Sequence, residues 1–302
     1  MASLTVILRD RRMRRRNLTA LTFLAPAIVL IGVFTLAPFV QAILLSFQSW
    51  DGISPDTAWV GLDNYSFVFG DDAFWESMKN VAVFGVVGFF LGNGVSLSMA
   101  LAVNRARRGR TFFRTVFYLP GVLSVVVVGM IFSFMYEPRS GIFNRVLDLA
   151  GLESLQQNWL GDPSIALPAV AAAFIWFHWG FGFILFLAGL QDIPQELYEA
   201  AELDGAGAWA KFRYVTWPQL APVTTIVSLL TLLAALQIFG TVQVLTNGGP
   251  GTHTLVPTLL IYNEAFGNNR YGSAAAMSVL FGGALVLLAF LQLTIARRRA
   301  DK

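Results

Sequence analysis

The chain has no cysteine and only two histidines, His178 and His253, in 302 residues. Without cysteine there is neither a disulfide framework nor a thiolate metal site. Neither histidine has a carboxylate near it in sequence, so no metal centre and no catalytic residue is expected. Charge is scarce as well: Asp, Glu, Lys and Arg make up 13% of the chain against 56% hydrophobic residues, with a mean hydropathy of +0.62. That balance argues against a soluble enzyme fold and for a protein that crosses a bilayer several times. A phosphate loop of the form G-x-x-x-x-G-K-[ST] is missing. The run Asn247-Gly248-Gly249-Pro250-Gly251 lacks its lysine and reads as a turn.

What is abundant is apolar sequence of membrane length. Six runs, at about 21–47, 80–103, 115–136, 164–190, 219–245 and 271–296, are each long enough to cross a hydrocarbon core of roughly 30 Å. The expected fold is all-α: an integral membrane bundle of six transmembrane helices with a cytoplasmic helix-turn-helix loop. The first run follows a basic arm, residues 1–20, and reads as a retained helix rather than a cleaved signal, with Pro26 and Pro38 bending it. Residues 48–79 are acidic and carry Trp50, Trp59, Tyr65 and Trp75, read as interface anchors on a cap of short helices. None of the six runs contains Asp, Glu, Lys or Arg. Proton relays and ion pathways depend on such groups, so energy is expected to enter elsewhere.

Basic residues set the orientation. Seventeen fall on one side: the N-terminal arm, Arg105, Arg107, Arg108, Arg110 and Arg114, the pair Lys211 and Arg213, and the tail at 297–302. Only Lys79, Arg139, Arg145 and Arg270 fall on the other. Both termini and the loop 191–218 are therefore expected in the cytoplasm. Topology accounts for the arginine runs, and no nucleic-acid partner is expected.

The loop 191–218 organises the chain. Asp192 is placed to cap a helix with Pro194 in its first turn and Gln195 at its third position, running to about Leu203. Gly205 stops it, and a second short helix is expected from about Ala208 to Tyr214. Ala200, Ala201 and Ala206 allow close approach of another surface, with Glu196, Glu199 and Glu202 beside them. The pattern suits docking better than catalysis.

Glu199, Ala200, Ala201, Asp204, Gly205, Ala206, Phe212 and Pro218 stand in register with the EAA-type coupling motif that the chain resembles, that of binding-protein-dependent ABC importer permeases. Val215 and Trp217 stand where that family more often has Ile and Leu. Gly61-Leu62-Asp63-Asn64-Tyr65, Tyr118-Leu119-Pro120, Ala188 to Pro194 and Leu245 to Pro250 look like its carbohydrate-uptake branch, relatives of the maltose transporter's membrane subunits. The resemblance implies a permease in the cytoplasmic membrane of a bacterium or archaeon. It implies a second homologous permease subunit, two ABC ATPase subunits and an extracytoplasmic solute-binding protein as partners, with a sugar as substrate. It implies no cofactor bound by this chain, ATP and Mg being used by the ATPase.

A sugar path needs uncharged polar and aromatic groups facing inward. Asn93, Trp176, Gln237, Thr241 and Gln243 are the candidates, with Ser96 and Ser98; Gln237 and Thr241 are four apart, on one face if the helix is continuous. Each could instead be an interhelical hydrogen bond. Gly85, Gly88, Gly92 and Gly94 read as close-packing positions, and His178, among Trp176, Phe177 and Trp179, as an interior histidine. The alternatives are an ion-coupled carrier or channel, which needs intramembrane ionisable groups, and a membrane-embedded enzyme, which needs a His, Asp or Glu cluster.

Overall fold

A computed structural model describes residues 22–106 and 108–300, apart from the side chains of residue 293 and residues 295–300. The basic arm expected at 1–20, Leu21, Arg107, the side chains of Arg297 to Arg299 and residues 301–302 lie outside that description. The chain divides into two compact units, Met1–Val68 with Glu264–Val279, and Phe69–Asn263 with Leu280–Lys302.

The first unit begins with α1, Thr22–Leu45, a span-length apolar helix with none of its apolar window buried. Two residue pairs then form a minimal antiparallel ladder, β1 (Gln48–Ser49) with β2 (Ala58–Trp59). Helix α2, Asp63–Gly70, follows. Asn64 fixes this corner by donating from Nδ2 to the carbonyls of Ser46 and Gln48, both at 2.9 Å. Residues 48–62 were expected as part of a cap of short helices; they are instead this ladder and its loop. Glu264 is the one buried acidic side chain among the described residues. It is satisfied by Ser273 Oγ and Asn268 Nδ2, each at 2.7 Å, with Arg270 at 3.6 Å.

The second unit is the helical bundle. Its axis is α7, Ala166–Gln191, apolar on all sides, as a helix surrounded by others must be. Against it pack α3 (Asp72–Arg105), the bent pair α4 (Arg110–Val122) and α5 (Val125–Met135), and α10 (Ala221–Leu236). Small residues allow the approach: a Cβ on Gly182 would lie 2.9 Å from Ser96 Oγ, and one on Gly189 2.7 Å from Val223. Two apolar cores result. One gathers Phe84, Phe132, Phe174 and Leu259, the other Val103, Phe183, Phe186 and Leu220. The helix α12, Tyr271–Ala300, gives its first turns to the first unit and the rest to the second.

The span expectations need correction at three places. The second run begins at Asp72, where Asp71 caps the helix through Ala73 N–H, rather than at Asn80. The run 115–136 is two helices meeting at 99°, because Leu123 and Ser124 are extended and Ser124 caps α5. The run 219–245 ends as a helix at Leu236; residues 237–239 are irregular and α11, Gly240–Leu245, starts anew. Near its beginning, α9 (Ala208–Gln219) meets α10 at 68°, where Pro222 offers no N–H to continue the ladder. Among the described residues four helices are long and apolar enough to span, and up to six if each bent pair is one span. The break at 237–239 is tolerable because Ile238 is buried in protein and its carbonyl accepts from Thr258 Oγ1 at 2.5 Å.

A further structured segment joins α5 to α7. Its hub is Asn144, on α6 (Ile142–Leu149). Nδ2 donates to the carbonyls of Pro138 and Gln157, and Oδ1 accepts from Gln157 N–H and Trp159 Nε1. Every hydrogen-bonding position of a buried amide is used, which pins the loop over the stacked rings of Tyr136 and Phe143.

Candidate coupling surface and polar groups of the spans

Helix α8 is Gln195–Leu203. Its N-cap is Pro194, without a side-chain cap bond, and not the expected Asp192. The N–H of Asp192 instead bonds to Ala188 O, making it the C-cap of α7. The C-terminus follows the sequence closely. Gly205 takes φ +77° and donates to Glu202 O at 3.0 Å, while Ala206 donates to Ala201 O at 2.8 Å. This pair of bonds is a Schellman turn, which consumes two carbonyls otherwise left open at the helix end and needs the left-handed residue that glycine supplies. The motif alanines are thus part of the turn: Ala201 and Ala206 are joined across it, backbone to backbone.

Beyond the turn, α9 starts at Ala208 and passes through a π turn at Phe212–Thr216, so it is longer than the expected Ala208 to Tyr214. Two side-chain contacts tie α8 to α9. Lys211 Nζ meets Glu202 Oε1 at 2.7 Å, and Tyr198 OH lies 2.9 Å from Thr216 Oγ1. Phe212 is held between the rings of Trp209 and Trp217 at 5.6 and 6.2 Å. Glu199, Ala200, Asp204, Gly205 and Pro218 are exposed, and Ala201, Ala206 and Phe212 partly so. Around them stand three apolar side chains that sequence reasoning did not single out: Leu203 (90% exposed), Trp209 (73%) and Tyr214 (77%). Leu203, an apolar residue ending an acidic helix directly before Asp-Gly, was the available signal.

The polar candidates of the spans divide by environment. Asn93 is consumed between helices: Nδ2 donates to Ser228 Oγ at 3.2 Å and Oδ1 accepts from Thr231 Oγ1 at 2.8 Å, joining α3 to α10. Ser96 bonds Trp179 O at 2.9 Å, and Ser98 bonds back to Gly94 O. Trp176 is half-buried, edge-on to Phe132 at 5.4 Å. The break at 237–239 separates Gln237 from Thr241, so the one-face argument for that pair fails. Gln237 is exposed, Thr241 buried and Gln243 intermediate. Gly85 and Gly88 are close-packed, whereas Gly92 and Gly94 have no neighbour within 4 Å of a would-be Cβ. His178 Nδ1 lies 3.0 Å from Phe174 O, its ring tilted against that of Phe174 with centroids 4.1 Å apart.

Residues 246–256, which include the turn expected at Asn247 to Gly251, are anchored to α3. Asn80 Nδ2 donates to Thr252 O and Leu255 O at 3.1 and 2.9 Å, and Thr252 Oγ1 donates to Glu76. Folding also brings Glu76 within 3.8 Å of His253 Nδ1, a pairing invisible in linear sequence. Among the described residues no three His, Cys, Asp or Glu side chains gather in a metal-binding group.

This arrangement, a glycine-turned helix pair outside a bundle with two bent helix pairs, coincides with a match over residues 92–301 to the family described as binding-protein-dependent transport system inner membrane component. The chain belongs to this family. As a permease it is similar to a probable ABC transporter permease of Pyrococcus horikoshii, 37% identical over 273 residues, 89% of this chain and 93% of that protein. It is similar also to the diacetylchitobiose uptake system permease of Streptomyces coelicolor, 34% identical over 306 residues, 96% and 87% of the two chains. In fold the permease resembles a chain in the solved structure of a bacterial alginate ABC transporter in complex with an alginate pentasaccharide-bound periplasmic protein. That likeness has a TM-score of 0.82 at 23% identity, over 95% of this chain and 96% of that one.

Proposed function

We propose that this permease forms the membrane path of an ATP-driven importer for a sugar or oligosaccharide handed over by an extracytoplasmic binding protein, and that it couples to two ABC ATPase subunits through α8 and α9. The observation that carries the reading is the bare rim of Leu203, Trp209 and Tyr214 around the Schellman turn of Glu199 to Ala206. Large exposed apolar side chains at a rigid turn favour a protein partner. The uptake of diacetylchitobiose named for one relative and of trehalose and maltose for another supports the substrate class. ATP and Mg belong to the ATPase, which supplies the hydrolytic groups. Nucleotide-driven movement reaches the spans because a rigid helix pair makes different contacts in two states of its partner. The orientation follows the basic residues: both termini and residues 191–218 are cytoplasmic. A second, homologous permease completes the path, and the uncovered flank of α1 supports a chain that does not enclose a channel alone. Trp176, Gln237, Thr241 and Gln243 remain candidates for sugar contact, with Gln237 the most accessible; Asn93 is reassigned to holding helices.

The test is affinity purification of the full-length permease with its co-encoded ATPase. Leu203→Asp with Trp209→Asp should abolish ATPase recovery and binding-protein-stimulated hydrolysis, while membrane insertion stays normal. Recovery at the wild-type level would place the coupling surface elsewhere. Ligand identification on the co-encoded binding protein would name the sugar, and a non-carbohydrate ligand would overturn the substrate class.

A further inference from the structure

The helix α6, Ile142–Leu149, has three faces rather than two. At about 100° per residue, Ile142, Val146 and Leu149 fall within one arc of about 60°, Arg145 and Asp148 within a second, and Phe143, Asn144 and Leu147 within a third of about 100°. The centres of these arcs stand about 100–140° apart. The third arc faces the bundle: Asn144 is buried among its hydrogen bonds, and Phe143 packs on the apolar core and stacks on Tyr136 with ring centroids 5.1 Å apart. The second is charged and exposed. The first is apolar and yet bare, with Ile142 at 53%, Val146 at 57% and Leu149 at 79% exposure. One exposed leucine needs no explanation, but three apolar side chains in register on a short, pinned helix do.

A helix on a soluble surface meets protein and water, and two faces suffice. Three faces answer to three media, and these meet where a membrane bundle emerges from the bilayer. The position of α6 agrees. It joins α5 to α7, whereas α8 and α9 follow the other end of the span-length α7, so α6 lies at the opposite face of the bilayer. Tyr136, on which Phe143 stacks, is the C-cap of α5. The helix α6 is thus one side chain away from the end of that span, where Met130 and Phe134 are bare apolar residues suited to lipid. Trp159 donates from Nε1 to Asn144 beside them, and Trp and Tyr favour the boundary between hydrocarbon and water. We infer that α6 is an interfacial helix whose bare arc is covered by acyl chains of the leaflet opposite α8 and α9, with Arg145 and Asp148 turned to water. The bare arc carries no charge and no hydrogen-bonding side chain, so it takes the hydrocarbon of any lipid and selects no headgroup. Because Asn144 also holds the carbonyls of Pro138 and Gln157, on the stretches that lead from α5 and towards α7, a helix fixed in the leaflet fixes the depth of both spans.

The chain has no cysteine, so single cysteines can be read without background. The full-length permease is purified with its co-expressed transporter subunits, these made cysteine-free, and placed in phosphatidylcholine nanodiscs. Nitroxide labels at Ile142→Cys, Val146→Cys, Leu149→Cys, Arg145→Cys and Asp148→Cys are compared by power saturation, with oxygen as the probe of hydrocarbon and a nickel chelate as the probe of water. Every label replaces an exposed side chain, so the fold is undisturbed, and Phe134→Cys on α5 supplies the lipid reference. Labels at 142, 146 and 149 should lie about 5–10 Å inside the headgroup boundary. Their oxygen-to-chelate ratio should approach that at 134 and exceed severalfold the ratio at 145 and 148. Equal ratios at all five sites would overturn the proposal, since the bare arc would then stand in water. Exclusion of both probes from 146 and 149 would overturn it too, by placing a neighbouring subunit on the arc. So would exclusion that appears only when the binding protein is added, which would make α6 a docking helix for that protein.

Discussion

Ala206 donates its backbone N–H to the carbonyl of Ala201 at 2.8 Å, closing the turn at the end of α8 across a glycine whose φ is +77°. A side chain at 205 meets no atom within 4 Å, so any penalty there is conformational and not steric with neighbours.

Gly205→Val should therefore leave expression and membrane insertion intact and damage coupling. A β-branched residue held left-handed costs about 1–3 kcal/mol, enough to reduce uptake between about fivefold and about a hundredfold. Gly205→Asn, which tolerates the left-handed region, should retain most uptake. Equal loss in both variants would point to a contact made by the glycine itself rather than to its backbone.

The bridge between Glu202 and Lys211 spans α8 and α9, but the Glu202 side chain is 62% exposed. Glu202→Gln should weaken ATPase recovery by less than about 1 kcal/mol, an effect that shrinks further with added salt. A loss as large as that of Gly205→Val would mean that Glu202 meets the partner directly.

Gly182→Val should lower the thermal midpoint of the purified protein. Its Cβ would press on Ser96 Oγ at 2.9 Å and Val227 at 3.2 Å, and overpacking of this kind costs about 1–3 kcal/mol. Gly94→Ala, in open space on α3, should be neutral or stabilising by about 0.5–1 kcal/mol. A fluorescence-detected melting series reads both, and the reverse order would contradict the packing of α3 on α7.

Asn93→Ala should cost about 0.6–2 kcal/mol of stability by unpairing Ser228 and Thr231, while the substrate KM of uptake stays unchanged. Gln237→Ala should do the opposite if the exposed amide meets sugar. A changed KM in Asn93→Ala would restore it to the substrate path.

Asp51 accepts hydrogen bonds from Ser54 N–H at 2.8 Å, Ile53 N–H at 2.9 Å and Ser54 Oγ at 2.7 Å. These hold its pKa down from 3.8 to about 2, the Ser54 backbone contributing most. A depressed folded value means that the turn keeps its full support above pH 3.8 and loses it as pH falls towards 2. Carboxyl NMR of labelled Asp51 should show a midpoint near that lower value. In Ser54→Ala the loss of the Oγ donor should move the midpoint part of the way up, and an ordinary midpoint in the wild type would show that the turn is not formed.

Local chemistry was legible before any fold was known. Uninterrupted apolar runs require burial in lipid or protein, basic residues choose a side, and Gly205 ends a helix because no other residue takes a positive φ so cheaply. Each of these is decided within a few residues of chain. Tertiary structure decided where two members compete for one group. Asp192 could cap either of two helices, and the end of α7 took it. Gln237 and Thr241 share a face only if the helix continues; it stops at Leu236, and the break is tolerated because Thr258, twenty residues beyond Ile238, satisfies the carbonyl of Ile238. Asn93 was a candidate for sugar contact until Thr231 and Ser228 arrived from α10. Spacing along the chain sets which side chains point together. What they point at depends on contacts between residues far apart in sequence, whose free energies no local pattern records.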